Sequence, residues 1–94
     1  MLLVGVPYAA DENLIEISQR VAVALGYNEQ NLPMIYAKRL TRGQIVIGAT
    51  PPIALQFAFK MARDDFFRRY FSLRNLSLKH IGFSVDRRIY LNEN

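Results

Sequence analysis

The segment Pro51-Pro52-Ile53-Ala54-Leu55-Gln56-Phe57-Ala58-Phe59 runs directly into Lys60-Met61-Ala62-Arg63-Asp64-Asp65-Phe66-Phe67-Arg68-Arg69-Tyr70-Phe71, and the hydrophobic period changes where the two meet. Ile53, Leu55, Phe57 and Phe59 point one way, and Ala54, Gln56 and Ala58 the other, which is the pattern of a strand with one heavy, buried face. From about Lys60 to Phe71 the spacing turns helical, with Ala62, Phe66, Tyr70 and Leu73 as the buried stripe. Asp64 with Arg68, and Asp65 with Arg69, stand in the favoured acid-before-base order four apart, each pair worth ~0.2–0.5 kcal/mol.

A matching half lies upstream. Leu2 to Val6 is an apolar run closed by Pro7, long enough for one buried strand. Asn13 followed by Glu16 has the form of a capping box, and Leu14, Ile17, Val21, Ala24 and Leu25 recur at helical spacing until Gly26 stops the helix. Glu16 and Gln19 then face solvent. After the polar, turn-rich Asn28 to Pro33, residues Met34 to Leu40 read as a second strand. A long excursion follows: a turn at Arg42-Gly43, a short extended arm at Ile45-Val46-Ile47 and a break from Gly48 to Pro52. Beyond the second helix, Ser72 to His80 leads into an anchored loop at Ile81-Gly82-Phe83. A last strand from Asp86 to Asn94 sets Ile89 and Leu91 against Arg88, Tyr90 and Asn92.

The order is therefore β-α-β-β-α-β. Right-handed crossovers turn it into an α+β, ferredoxin-like domain, with a four-stranded antiparallel sheet and both helices on one face, the arrangement shared by RNA-recognition (RRM-like) domains. Ninety-four residues, 51% hydrophobic and 12% aromatic, suit a single ordered domain over 1–94. There is no cysteine and one histidine, His80, so disulfides, thiolate zinc sites and His-clustered metal sites are excluded and no cofactor or metal is expected. The apolar start has no basic region before it and ends at Pro7, too short for a signal peptide or a membrane span. The expectation is an intracellular protein of the cytoplasm or nucleus, without a membrane partner.

Catalysis is not expected either. Gly43 to Thr50 has the glycine spacing of a phosphate-binding loop, but Ala49 stands where the lysine must be, and Pro51-Pro52 replace the helix start that would aim amides at a nucleotide. His80, between Leu78 and Ile81, reads as a packing or capping histidine. Asp64 and Asp65 point about 100° apart on a helix, a poor geometry for a paired acid and base. No enzyme and no small-molecule substrate are anticipated.

Charge is the informative property. Eleven of the twelve Lys and Arg lie between Lys38 and Arg88, against Asp64, Asp65 and Asp86 alone, a local balance of +8; the remainder holds Arg20 against five acids, a balance of −4. Such polarity suits a polyanion, because clustered cations gain from counterion release at phosphates. Lys38, Arg39 and Arg42 close the second strand and enter its loop. Arg87 and Arg88 open the last strand, and Arg63, Arg68, Arg69, Arg74 and Lys79 follow the second helix and its exit. Tyr36, Tyr90 and Arg88 would stack or clamp unpaired bases if the second and fourth strands frame one surface. The usual stacking platform is missing, since the open face of the third strand offers only Ala54, Gln56 and Ala58. Contacts then depend on Arg and Lys at loops and edges, with low sequence specificity.

Val4-Gly5-Val6-Pro7, Glu12-Asn13-Leu14, Ala24-Leu25-Gly26, Lys38-Arg39-Leu40, Pro51-Pro52-Ile53, Phe66-Phe67-Arg68-Arg69-Tyr70, Leu76-Ser77-Leu78, Ile81-Gly82-Phe83 and Arg87-Arg88-Ile89-Tyr90-Leu91-Asn92-Glu93-Asn94 occur in that order. Together they resemble the RNA-binding-type domain of the first-open-reading-frame (Gag-like) proteins of insect LINE-type retrotransposons and of the related baculovirus few-polyhedra (FP) proteins. The resemblance implies a noncanonical RNA-recognition fold that follows a coiled coil in a longer chain, with self-association through segments outside this one. It also implies binding of single-stranded RNA or DNA with little sequence preference. The contacts it implies are Lys38, Arg39 and Arg42, then Arg68 and Arg69; the reading of the last strand adds Arg88 and Tyr90. Two departures stand out: the second helix lacks a Ser/Thr start, and Gln44 to Thr50 is apolar for a basic loop. The alternative is a protein-interaction or oligomerisation module, in which an exposed edge strand or the Ile45-Val46-Ile47 arm docks a partner.

Overall fold

The computed structural model describes residues 1–93; Asn94, which the sequence reading includes in the last strand, lies outside them. The elements are β1 (Leu2–Val4), α1 (Leu14–Ala24), β2 (Ile35–Arg39), β3 (Ile53–Phe57), α2 (Lys60–Leu73), a 3-10 turn (Leu78–Ile81) and β4 (Tyr90–Asn92). All neighbouring strands are antiparallel, in the order β2-β3-β1-β4. This is the ferredoxin-like topology that the β-α-β-β-α-β order demands. No helix among the described residues is long and apolar enough to cross a membrane.

Alternation along the strands sends Leu3, Ile53, Leu55 and Leu91 to the helix side. There they meet Val21 and Leu25 of the first helix and its exit, and Phe66 and Tyr70 of α2, in one buried cluster. Phe66 is fully enclosed, stacked on Tyr27 at 5.9 Å and edge-on to Phe57 at 5.0 Å. Burying a side chain of this size contributes about 1.5–3 kcal/mol. β1 is short because Gly5 turns the chain with φ +105°, while a Cβ there would meet the Arg88 carbonyl and Ile89 at 3.4 Å. The turn breaks the alternation, so Val6 is as buried as Leu3.

α1 starts as its sequence indicates, with the Asn13 side chain accepting from the Glu16 amide at 3.1 Å. Only half of the capping box forms, because the Glu16 carboxylate accepts from Arg20 at 2.7 Å. α2 has no side-chain cap at Phe59 and ends on Arg74 in the left-handed region, φ 67°.

Five details differ from the sequence reading. The last strand, read from Asp86, is confined to Tyr90–Asn92, with Arg88 in an isolated bridge to Ser77 before it. β3 ends at Phe57, because Ala58 and Phe59 turn the chain into α2; Phe59 leaves the heavy face and is 70% exposed. Asp64 bonds Lys60 instead of Arg68, while Arg68 goes to Asp65 one turn earlier. Residues 45–47 form no extended arm: their loop is tied to Tyr8, whose amide donates to Ala49 and whose carbonyl accepts from Gly48. The stretch between α2 and the 3-10 turn is structural, for Leu76 and Leu78 are fully buried and pair with Ile89 and Arg87 through backbone hydrogen bonds of 3.0 and 2.8 Å. His80 fills the capping role, its Nδ1 accepting from the Ser77 amide at 3.0 Å.

Candidate nucleic-acid interface

The first cationic group does not form a surface. Arg39 shares the parity of Ile35 and Ala37, so β2 points it at the helix side, where its side chain is 5% exposed. There it makes two hydrogen bonds to the Glu12 carboxylate, at 3.0 and 2.8 Å, and donates to the Val6 and Pro51 carbonyls at 2.8 and 2.6 Å. A guanidinium with those partners is unavailable to phosphate. Arg39 is thereby corrected from a contact to an internal strut joining β1's exit, β2 and the chain before α1. The signal was present in the strand's alternation.

Lys38 and Arg42 do reach solvent. Lys38 lies on the open face of the sheet, in the row Lys38, Ala54, Leu2 and Asn92. Arg42 belongs to the exposed loop beyond β2. Tyr36 and Tyr90 share the open face yet occupy opposite edge strands, three inter-strand steps apart and four residues out of level along them, roughly 20 Å in all. They cannot grip one base.

Arg69 is likewise an internal clamp. It donates to Asp65 at 2.8 Å and to the Leu25 carbonyl at 3.5 Å, and its guanidinium lies 3.9 Å from the Tyr27 ring centroid. Tyr27 donates its hydroxyl to the same carboxylate at 2.6 Å. Burial, followed by the bond to Asp65, pushes the Tyr27 hydroxyl up to about 12, while the Tyr27 bond and then Arg69 hold the Asp65 carboxyl below its usual range. Arg68 is outermost in this group, exposed but bonded to Asp65. These charges fasten α1's exit to α2.

Six of the twelve basic side chains thus carry a carboxylate partner: Arg20, Arg39, Lys60, Arg63, Arg68 and Arg69. Among the described residues the other six do not, and four of these, Arg74, Lys79, Arg87 and Arg88, belong to the connection between α2 and β4. Arg88 donates to the Arg74 carbonyl and lies 5.6 Å from the Tyr90 ring centroid. Tyr70, Phe71, Arg74 and Arg88 line one open groove. A neighbouring groove shares Phe71 and Arg74 and adds Phe67, Arg68 and the carboxylates Asp64 and Glu93. Phe71 is 60% exposed and Tyr90 46%, so each offers a ring face to solvent. Cations with no ion-pair partner among the described residues, set among exposed rings, can hold phosphate oxygens and stack unpaired bases.

Of the residues chosen from sequence, the structure brings Arg88 and Tyr90 together. The sequence reading places Arg74, Lys79 and Arg87 among the basic groups but not among the contacts, and gives Phe71 no role. Its position off the buried stripe of α2, beside a basic exit, was the available signal. Among the described residues no three His, Asp or Glu side chains form a metal-ligand set. The chain matches no protein-family model, no curated protein and no solved structure.

Proposed function

We propose that this domain binds single-stranded RNA or DNA with little sequence preference, in the manner of retrotransposon- or virus-derived nucleic-acid-binding modules, through Arg74, Arg87 and Arg88 of the α2–β4 connection, with Phe71 in one groove with Arg74 and Arg88 and Tyr90 beside Arg88. The observation that carries the reading is the segregation of charge. Half of the basic residues carry a carboxylate partner within the chain, while among the described residues the connection from α2 to β4 gathers four that have none. Guanidinium groups there can fork onto phosphates, and the two exposed rings supply sequence-tolerant stacking. Arg68 borders this surface, lining the neighbouring groove with Phe71 and Arg74, whereas Lys38 and Arg42 lie toward the opposite, β2 edge of the sheet.

A salt titration of labelled single-stranded RNA tests it. Each neutralised phosphate adds about −0.7 to the slope of log K against log salt, so three contacts give a slope near −2. Changing Arg74, Arg87 and Arg88 to Glu together should abolish binding with circular dichroism unchanged, whereas Arg39→Met should leave the slope intact in the folded protein. Unaltered affinity in the triple variant defeats the proposal.

A second reading, a protein-docking module, draws on the loop of residues 41–50, where Val46 and Ile47 are 75% and 72% exposed although the loop is held by two hydrogen bonds to Tyr8. Light scattering on the native domain and on Val46→Glu tests it; a mass that is monomeric in both counts against self-association through that loop.

A further inference from the structure

The outer edge of β2 is unpaired. Leu40 donates to Pro52 and Ala58 to Met34 across the β2–β3 ladder, so the amides and carbonyls of Met34, Tyr36, Lys38 and Leu40 face β3. By alternation those of Ile35, Ala37 and Arg39 face outward, and among the described residues nothing accepts or donates to them. This edge has no proline and no bulge between residues 34 and 40, so little protects it from pairing.

We infer that β2 pairs with β2 of a second copy, antiparallel about a two-fold axis at Ala37, joining two sheets into one of eight strands. The register follows by elimination. A two-fold axis at Lys38 sets identical unpaired cations opposite each other, which is unfavourable in a cross-strand pair, and one at Arg39 sets residues 35–37 opposite the loop beyond β2. An axis at Ile35 brings Pro33 into the ladder, and one at Tyr36 leaves Leu40 unmatched. Centring on Ala37 alone uses every residue from Met34 to Leu40.

In that register the outward-facing Ile35, Ala37 and Arg39 meet Arg39, Ala37 and Ile35 of the other copy as hydrogen-bonded pairs. On the open face Met34 meets Leu40 and Tyr36 meets Lys38, each twice by symmetry. Met34, Tyr36 and Leu40 are 75%, 65% and 41% exposed, so the pairing covers apolar surface that is now in water. Lys38 has no carboxylate partner and gains an aromatic ring; the Arg39 charge is already taken by Glu12. The interface lies on the edge opposite β4 and leaves the α2–β4 connection of both copies open.

Sedimentation of the native domain over a wide concentration range, beside Tyr36→Glu and Tyr36→Lys, tests the register. Both substitutions fall on an exposed position of the open face and should leave circular dichroism unchanged. Tyr36→Glu sets two carboxylates against two lysines and should tighten the dimer by roughly 2- to 30-fold; Tyr36→Lys opposes like charges and should weaken it by a similar factor. A domain that stays monomeric at its highest attainable concentration, or two variants that shift the dimer in the same direction, overturns the inference. Because neither variant touches Arg74, Arg87 or Arg88, RNA affinity of the monomeric species reports separately on the nucleic-acid proposal.

Discussion

Replacing Arg39 by Met keeps most of the side-chain stem and removes the charge that four acceptors now share. The pair with Glu12 is enclosed, the two side chains being 5% and 10% exposed. Removing one partner of such a pair costs about 3–5 kcal/mol, because the remaining charge is left without compensation. Glu12 lies close to the surface and can turn toward water, which favours the lower end, about 3 kcal/mol. The Val6 and Pro51 carbonyls also lose their donor, which prevents a much smaller value. For a domain of this size that loss lowers Tm by roughly 12–24 °C. Urea denaturation at neutral pH measures it directly, with the transition midpoint falling at constant m-value. Arg42→Met on the exposed loop is the control and should change stability by less than about 0.5 kcal/mol. Adding Glu12→Gln to Arg39→Met should cost less than the sum of the two single changes, since the stranded carboxylate is gone. An Arg39→Met protein within about 1 kcal/mol of the native one, or indistinguishable from Arg42→Met, refutes the assignment of Arg39 as a strut and returns it to the list of possible phosphate contacts.

Tyr27 carries a pH signature. Its hydroxyl is held protonated to about 12 in the folded chain against 10 when unfolded. The stability this contributes is complete below pH 10 and is lost as pH rises through about 12. Tyr27→Phe should abolish that alkaline slope. It should also reduce the loss of stability in acid, because the Tyr27 bond is the main reason Asp65 titrates low; identical pH profiles for the two proteins in chemical denaturation contradict both statements. Gly5→Ala places a side chain at φ +105° against the Arg88 carbonyl and should cost ~1–3 kcal/mol in the same assay. A neutral result there shows that β1 leaves the sheet without strain.

Some of this architecture is determined by local chemistry. The change of period between β3 and α2, the Asn13 cap and the alternation of Ile89 and Leu91 with Arg88 and Tyr90 follow from side-chain size and spacing, and they suffice for the element order and the topology. Even the burial of Arg39 was implicit in the parity it shares with Ile35 and Ala37. Tertiary structure alone decided which charges remain available. Ion pairing depends on distances between segments remote in the chain: Glu12 finds Arg39, and Tyr27 finds Asp65, only after both helices pack on one face of the sheet. The same closure leaves Arg74 and Arg88 side by side with Phe71 and, among the described residues, without an ion-pair partner, and leaves β2 at an edge with its outward amides bare. A sequence counts charges, but their neutralisation is a property of the packed molecule, because Coulomb energy falls with separation and water screens whatever stays outside.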